Sequence, residues 1–187
     1  NKWFDPLSIP DKKNKYFKIK LDRGYYTFEP NFREVIILPI VDNKYFLLIK
    51  AKRTLLNCYN YEFPAGSFES KKETSLNAAK REFYEETGIN LKKFNKFYKL
   101  KSILQIPNRS KLPIFSYYVN LKFYLFALIL HVWLFYKNYK FDSNEIEGIK
   151  LVTLKKLFDL IIKGKFYSSV PLAQLLQYLI IKKVFKI

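Results

Sequence analysis

Cysteine, arginine, acidic residues and long apolar runs are all scarce in this sequence of 187 residues. The one cysteine, Cys58, cannot form a disulfide within the chain, which argues against a disulfide-stapled secreted scaffold. The longest apolar run without a charge, residues 123–136, is shorter than the ~18–20 residues that a membrane-spanning helix needs. We therefore expect a protein of a reducing compartment, the cytoplasm, with no membrane span.

The net charge is strongly positive, but few arginines carry it. The chain has 34 Lys and Arg against 16 Asp and Glu, a formal net charge of +18, and five of the 34 are Arg. Surfaces that recognise bases usually depend on Arg, whose planar guanidinium pairs with guanine or phosphate at two points. Scattered Lys bind polyanions weakly and in a salt-dependent way. We expect no specific nucleic-acid partner, although the positive surface can help to gather anionic nucleotides.

Apolar and aromatic residues are abundant, at 49% and 19% of the chain, so the chain can bury a core. Its length fits one domain, which we place at residues 34–187 after an N-terminal arm with short strands, residues 1–33, a candidate for dimer formation. The order of strands, helix, strands and helices predicts an α/β (α+β) domain. The predicted strands are Tyr25–Phe28, Glu34–Val41, Tyr45–Lys50, Tyr61–Phe63, Phe97–Leu104 and Lys122–Leu130, with a loop at Gln105–Ser116, and the predicted helices are Glu73–Thr87, Leu154–Lys163 and Pro171–Val184.

The few acidic residues are concentrated in one segment, residues 62–86, which contains six Glu and four basic residues. The second half of this segment predicts a helix that ends at Thr87, with Gly88 as a left-handed C-cap. Leu76, Ala79 and Phe83 recur at i, i+3 and i+7 along this helix. They predict one buried stripe.

Three carboxylates share one face of the predicted helix, because Glu82, Glu85 and Glu86 lie at i, i+3 and i+4. Two of them lie in the last turn, where the helix dipole disfavours negative charge. A divalent cation would offset their repulsion, since Mg2+ and Mn2+ prefer carboxylate, phosphate and water oxygens. The helix alone leaves a solvated acidic face without metal as the alternative. Arg81, four residues before Glu85, can hold that carboxylate in one rotamer.

The loop and the helix together carry a longer motif, PAGSFESKKE followed by AAKREFYEETGI. This motif resembles the signature of the Nudix hydrolases, G-x5-E-x7-R-E-U-x-E-E-x-G-U, where U is a bulky apolar residue. From Glu73 onward every fixed position of the signature is met, whereas six residues, not five, separate Gly66 from Glu73. Either the loop bulges by one residue, or Glu69 takes the role that the signature assigns to Glu73.

The sequence around the motif resembles the ADP-ribose pyrophosphatase branch of this family. In that branch a strand that ends in an Arg-containing turn leads into E-x-P-A-G, which Arg53 and residues 62–66 match. The resemblance continues more loosely from Glu34 to Ile180. It implies a Nudix-type α/β/α sandwich with a mixed β-sheet, and a homodimer. It also implies Mg2+-dependent hydrolysis of a nucleoside diphosphate linked to another moiety, with ADP-ribose, cleaved to AMP and ribose 5-phosphate, as the favoured substrate.

The resemblance also implies roles for individual residues. One to three Mg2+ ions, for which Mn2+ can substitute, would be held by Glu82, Glu85, Glu86 and the backbone carbonyl of Ala65. Arg81 would orient the glutamates. The late loop supplies a base or an extra ligand in this branch, and the candidates are Glu145, which we favour slightly, and Glu147. The candidates for substrate contact are Arg53, Glu62 and Gly66.

A Nudix-fold module that binds nucleotide or RNA without turnover is the alternative function. The complete sequence R-E-F-Y-E-E-T-G favours catalysis. The longer loop before Glu73 leaves room for the binding module. Turnover on a nucleoside diphosphate substrate distinguishes the two.

Overall fold

The computed structural model describes residues 17–22, 24–30, 32–53, 57–90, 97–104, 112–122, 127 and 146–184. The strands are β1 (Phe17–Asp22), β2 (Tyr25–Pro30), β3 (Glu34–Val41), β4 (Tyr45–Arg53), β5 (Cys58–Glu62), β6 (Ala65–Ser67), β7 (Phe97–Lys99), β8 (Ile114–Leu121) and β9 (Ile146–Thr153). The helices are α1 (Ser75–Thr87), α2 (Leu154–Ile162) and α3 (Ser169–Ile181). None of the helices in these ranges is long and apolar enough to span a membrane.

A mixed β-sheet forms the centre of the domain. Its strands lie in the order β5-β4-β3-β8-β7, with β6 paired to β3 and β9 paired to β4. Strands β3 and β8 run parallel, from Glu34 opposite Ile114 to Val41 opposite Leu121, and the other pairs in this sheet are antiparallel. Because β6 pairs with the first residues of β3, the loop that follows β6 is held at this end of the sheet.

Apolar side chains cover both faces of the sheet, because successive residues of a strand point to opposite sides. On β3, Val35 and Ile37 pack with Phe83 of α1, whereas Ile36 and Leu38 pack with residues of α2 and α3. Each large side chain buried in this way contributes about 1.5–3 kcal/mol. The helices therefore sandwich a mixed sheet, and the predicted α/β/α fold class is confirmed.

The buried stripe of α1 differs in part from the prediction. Ala79 and Phe83 are fully buried as predicted, and Ala78 and Thr87 join them. Leu76, in the first turn, is 37% exposed, so its inclusion in the stripe was wrong. Helical periodicity identifies the face that packs on the sheet, but it carries no information on where the neighbouring elements stop covering that face.

Strand β8 is the largest departure from the predicted elements. Residues up to Ser116 were predicted as a loop and no strand was predicted at Ile114–Leu121, yet this strand lies beside β3 in the middle of the sheet. The predicted strand at Phe97–Leu104 ends at Lys99. Pro113, directly before β8, favours an extended backbone as readily as a turn. Pairing with β3 therefore decides the structure here.

Strand β9 was also missed, because Gly148 and the charged residues Glu147 and Lys150 interrupt its apolar pattern. It pairs with β4 along most of its length. The predicted helix that follows it is confirmed as α2, and the last predicted helix is confirmed as α3. The predicted strand Lys122–Leu130 falls almost entirely outside the described residues.

Strands β1 and β2 form an antiparallel two-stranded sheet of their own. They belong to the predicted N-terminal arm, whose first 16 residues lie outside the described part of the chain. The strand predicted at Tyr25–Phe28 is confirmed within β2. The role of the arm in dimer formation stays a prediction.

Candidate active site

Helix α1, which carries the acidic face, begins and ends at well-defined cap residues. At its start the Thr74 hydroxyl accepts a hydrogen bond from the backbone N–H of Asn77, as an N-cap residue does. At its end Gly88 adopts a left-handed conformation, with φ of 69°, and donates to the carbonyl of Tyr84. The predicted glycine C-cap is confirmed.

Arg81 is the centre of the acidic cluster. Its Nη1 donates to Glu82 Oε1 at 2.8 Å and to Glu85 Oε2 at 3.0 Å. Its Nε donates to Glu73 Oε1 at 3.1 Å, and its Nη2 donates to the carbonyl of Ser67 at 2.7 Å. A planar guanidinium with five donors suits several acceptors at once. Arg81 therefore joins the loop after β6 to the carboxylates of α1.

The electrostatics of this cluster favour a permanently charged Arg81. Burial alone would lower the pKa of Arg81, but the hydrogen bond to Glu73 and the charges of Glu82 and Glu85 outweigh it, and the pKa is raised. Burial likewise opposes ionisation of Glu73, yet hydrogen bonds from Arg81 and from the Glu69 backbone lower the pKa of Glu73. Both groups are therefore held in their charged forms.

The longer loop keeps Glu73 in contact with Arg81. The Glu73 side chain is 13% exposed and accepts both from Arg81 and from the backbone N–H of Glu69, at 2.8 Å. The Glu69 side chain is 68% exposed, and its carboxylate lies 3.7 Å from Arg81 Nε. The extra residue therefore lies in the turn before Glu73, so the loop bulges and Glu69 does not replace Glu73 in this contact.

Arg33, just before β3, supports the same loop through contacts that no local sequence pattern indicates. Its guanidinium lies 4.4 Å from the centre of the Phe68 ring. Its Nη2 lies 3.3 Å from the carbonyl oxygens of Lys71 and Glu73, to which it donates. Phe68 in turn donates its backbone N–H to the Arg33 carbonyl. The loop is thus fixed from the side of β3 as well as from α1.

Glu86 lies apart from Arg81 and is the least compensated carboxylate of the cluster. Its Oε2 accepts a hydrogen bond of 3.0 Å from the backbone N–H of Ala65. Burial raises the pKa of Glu86 well above its ordinary value, and the charges of Glu82 and Glu62 raise it further. Burial also raises the pKa of Glu82, although Arg81 opposes this. The site therefore holds an excess of negative charge.

The donor set suits a hard divalent cation. Among the described residues, no three His, Cys, Asp or Glu side chains converge closely enough to enclose an ion, since Arg81 engages Glu82 and Glu85. Mg2+ keeps several waters and usually takes only one or two carboxylates together with substrate phosphates. The partly buried oxygens of Glu86 and Glu82, with pKa values raised by burial, are groups that such an ion would stabilise.

Gly66 lies directly against the Glu82 carboxylate. A Cβ atom at residue 66 would overlap the terminal carbon and both oxygens of Glu82. Residue 66 also pairs with Val35 across β6 and β3, so its backbone has little freedom to move away. A side chain at residue 66 would therefore displace the Glu82 carboxylate, and glycine avoids this.

On the predicted role of Glu82 as a metal ligand, replacement of Gly66 by alanine should lower turnover by about 10–100-fold, the range seen when a group that orients such a ligand is lost. The added methyl group displaces the Glu82 carboxylate, which can rotate, so the fold should survive. Steady-state turnover and thermal unfolding measure the two effects. Gly148→Ala is the matched control, because a Cβ at residue 148 has open space around it. Equal losses in both variants would contradict this account.

A cavity of about 440 Å³ opens beside Gly66. Arg53 and Glu62 line it, and their side chains form an ion pair in which Arg53 Nε donates to Glu62 Oε1 at 2.7 Å and Nη2 donates to Oε2. The first turn of α3 closes the other side. The lining residues are Glu34, Val35, Ile36, Arg53, Glu62, Phe63, Ala65, Gly66, Ser67, Ile114, Ser168, Ser169, Val170 and Pro171.

The structure thus brings together most of the residues that the sequence singled out. Arg81, Glu82, Glu85 and Glu86 form one cluster, and Ala65 and Gly66 join it to the cavity at Arg53 and Glu62. The backbone N–H of Ala65 contacts Glu86, whereas its carbonyl as a metal ligand stays a prediction.

Glu147, the late-loop glutamate that the structure describes, is not part of this arrangement. Glu147 accepts a hydrogen bond of 2.7 Å from Lys50 Nζ and does not line the cavity. The hydrogen bonds from Lys50 and Tyr59 hold the pKa of Glu147 below its ordinary value. Glu145 lies outside the described residues. The role of either residue as base or extra ligand stays a prediction.

Sequence reasoning also missed the polar residues on the cavity wall. Ser168 lies at the start of α3 and lines the cavity, and the fully buried Asn60 on β5 contacts both Ser168 and Glu62. An asparagine among strand residues and a serine before a helix are common in any sequence. The local pattern therefore contained no signal for them.

Comparison with known proteins gives two matches. A family model of the NUDIX domain matches residues 30–173. The structure is similar to a crystal structure of an ADP compounds hydrolase, with a TM-score of 0.62 and 20% sequence identity, over 86% of this chain and 80% of that chain. At this identity the similarity concerns the fold. Among curated protein sequences, none matches this chain at a significant level.

Proposed function

Because the chain belongs to the Nudix hydrolase family, we propose that it hydrolyses the pyrophosphate bond of a nucleoside diphosphate linked to another moiety. ADP-ribose is the proposed substrate, and AMP and ribose 5-phosphate are the proposed products. The observation that carries the proposal is the contact of the cavity with the carboxylate cluster at Gly66. The structural similarity to an ADP compounds hydrolase favours a substrate that contains ADP.

The two parts of the site offer different chemistry to such a substrate. The cavity wall carries the Arg53 guanidinium, a planar donor that suits phosphate oxygens. The carboxylate cluster carries excess negative charge and lies against Gly66, which also lines the cavity. A pyrophosphate placed between them would have a cation-binding face on one side and a guanidinium on the other, as phosphoryl transfer requires.

Mg2+, or Mn2+ in its place, would be held by Glu82, Glu85 and Glu86 with the Ala65 carbonyl. When bound, the ion supplies charge neutralisation of the pyrophosphate and lowers the pKa of a bound water. Arg81 orients Glu82 and Glu85 through its Nη1, and the Ala65 backbone N–H orients Glu86. One of Glu145 and Glu147 remains our candidate for the base that takes the proton of the attacking water.

The test is incubation of the protein with ADP-ribose and Mg2+, followed by separation of the products. Cleavage between the two phosphates gives AMP and ribose 5-phosphate. Cleavage between the second phosphate and the terminal ribose gives ADP instead. A panel of other nucleoside diphosphate sugars then defines the leaving group, and Glu86→Gln serves as the inactive control. Mg2+-dependent turnover that is absent from the whole panel would contradict the proposal, and nucleotide binding without turnover would favour the binding module.

We further propose a homodimer in the cytoplasm. The β1–β2 sheet, which pairs with no strand of the main sheet among the described residues, is the candidate contact between subunits. Light scattering on the full chain and on a chain that lacks residues 1–33 tests this. A mass of one chain for the full protein would contradict it.

A further inference from the structure

Asn60 is a fully buried polar residue beside the proposed substrate cavity. Its Nδ2 donates to Glu62 Oε1 at 2.9 Å and to the Ser168 hydroxyl at 3.1 Å. Its side-chain carbonyl oxygen is buried and makes no hydrogen bond with any described residue. Asn60 therefore uses its amide NH2 group to join strand β5 to the start of helix α3.

An asparagine in this place is costly. A buried polar atom without a partner lowers the stability of the folded state, and an apolar residue of similar shape would avoid that cost. Asn60 lies opposite Ala51 in the β4–β5 pair, where apolar residues fit a sheet well. The two hydrogen bonds of the amide offset this cost, and both lead to residues that line the cavity.

The first hydrogen bond fixes Glu62 on the cavity wall. The Glu62 carboxylate accepts from Arg53 through both of its oxygens and from Asn60 through Oε1. Glu62 is 6% exposed and lines the cavity. These three hydrogen bonds hold the carboxylate in one orientation. Its remaining lone pairs can accept hydrogen bonds from a ligand in the cavity.

The second hydrogen bond determines what Ser168 can do. Ser168 is the N-cap residue of α3, yet its side chain makes no capping hydrogen bond to that helix. Its oxygen accepts from Asn60, so its own proton is free to be donated elsewhere. Since Ser168 lines the cavity, it presents a donor there, and Asn60 joins it to the acceptor Glu62.

We propose that Asn60 is a positioning residue that sets Glu62 as an acceptor and Ser168 as a donor for the hydroxyl-bearing sugar part of the substrate. A sugar hydroxyl can donate to a carboxylate while a neighbouring oxygen accepts from a serine, so the pair matches this chemistry. The proposal rests on the proposed function, because it concerns the same cavity. Asn60 does not touch the substrate and acts through Glu62 and Ser168.

The experiment is a double-mutant cycle on substrate binding. The dissociation constant of ADP-ribose is measured by titration calorimetry in EDTA for the wild-type protein, Asn60→Asp, Glu62→Gln and the double variant. Asn60→Asp keeps the shape but replaces the donor with an acceptor, so binding should weaken about tenfold, as expected for a hydrogen bond to a charged group. In the Glu62→Gln background the same change should weaken binding less than about twofold, because residues in one network are not additive.

Turnover with Mg2+ is measured in parallel. Asn60→Asp should raise KM by about the same factor and change kcat little, because substrate binding and not the carboxylate cluster is affected. Asn120→Asp on strand β8 is the matched control for a new acid on the sheet and should leave the dissociation constant unchanged. If Asn60→Asp does not fold, Asn60→Ser replaces it under the same criteria.

The outcomes separate the two proposals. An unchanged dissociation constant in a folded Asn60 variant, or an equal loss with and without Glu62→Gln, overturns the role of Asn60. Wild-type protein that binds ADP-ribose without turnover overturns the proposed function, and the binding cycle then decides on Asn60 alone. Wild-type protein that neither binds nor cleaves ADP-ribose overturns both.

Discussion

Glu86→Gln should lower turnover on ADP-ribose by more than about 100-fold and, in the absence of metal, make the protein more stable. Loss of a group that only supports a metal ligand already costs 10–100-fold, and Glu86 is proposed as a ligand itself. Glutamine keeps the size of the side chain and an oxygen that can accept from the Ala65 N–H. The substitution therefore removes the charge with little change in shape.

The gain in stability follows from the raised pKa of Glu86. Burial is its main cause, so the folded state opposes ionisation of this carboxyl. Such a group costs no stability while it is protonated in both states. As the pH rises above its ordinary value of 4.5, the unfolded chain ionises more readily, and folding becomes less favourable until the pH passes the folded-state pKa. Glutamine has no such cost at any pH.

Thermal unfolding in EDTA between pH 4 and pH 8 measures this effect. The Tm of Glu86→Gln should exceed that of the wild type at pH 8, because the wild type carries the cost of ionising a buried carboxyl. The difference should vanish towards pH 4. Glu69→Gln, at an exposed position in the preceding loop, is the matched control and should change neither turnover nor Tm. A Glu86→Gln protein with wild-type turnover would contradict the assigned role.

Arg81→Lys should lower turnover by about 10–100-fold and destabilise the fold by about 2 kcal/mol, even though it preserves the charge. Arg81 reaches four groups at once, Glu73, Glu82, Glu85 and the carbonyl of Ser67. A lysine ammonium is a compact charge on a flexible chain and cannot repeat this planar arrangement. Glu82 and Glu85 would then lose their fixed orientation.

Denaturant unfolding and the Mg2+ dependence of turnover test the role of Arg81. A higher Mg2+ concentration for half-maximal activity is expected, because freely rotating carboxylates bind an ion less well. Lys156→Ala is the control for loss of a surface cation, since Lys156 pairs only with the exposed Asp159 among the described residues. Such surface pairs contribute little. Equal stability of Arg81→Lys and the wild type would show that the planar geometry of the guanidinium does not stabilise this group of carboxylates.

Much of the acidic cluster could be predicted because it depends on contacts close in sequence. The positions i, i+3 and i+4 on one helix place Glu82, Glu85 and Glu86 together in any fold that contains the helix. The left-handed Gly88 that ends it is equally local. The helices α2 and α3 were predicted for the same reason, since their periodicity and ends are properties of short segments.

The strands were predicted less well, because a strand is stabilised by partners far away in the sequence. Strand β8 was missed although it lies beside β3, and β9 was missed although it pairs with β4. Neither strand has a strong alternation of apolar and polar residues that would distinguish its sequence from that of a loop. Their pairing decides their structure, and pairing is not visible in the residues of one segment.

The scarce acidic residues of this basic chain were enough to predict a candidate metal-binding helix face, because spacing along one helix determines which carboxylates lie together. The family was indicated by the resemblance of the whole motif around them. Only the tertiary structure decided that Glu73 and not Glu69 contacts Arg81 closely, that Gly66 lies against Glu82, and that a cavity forms there. Only it shows Asn60 between Glu62 and Ser168, which lie more than 100 residues apart. Such contacts depend on how strands and helices pack, which local sequence does not specify.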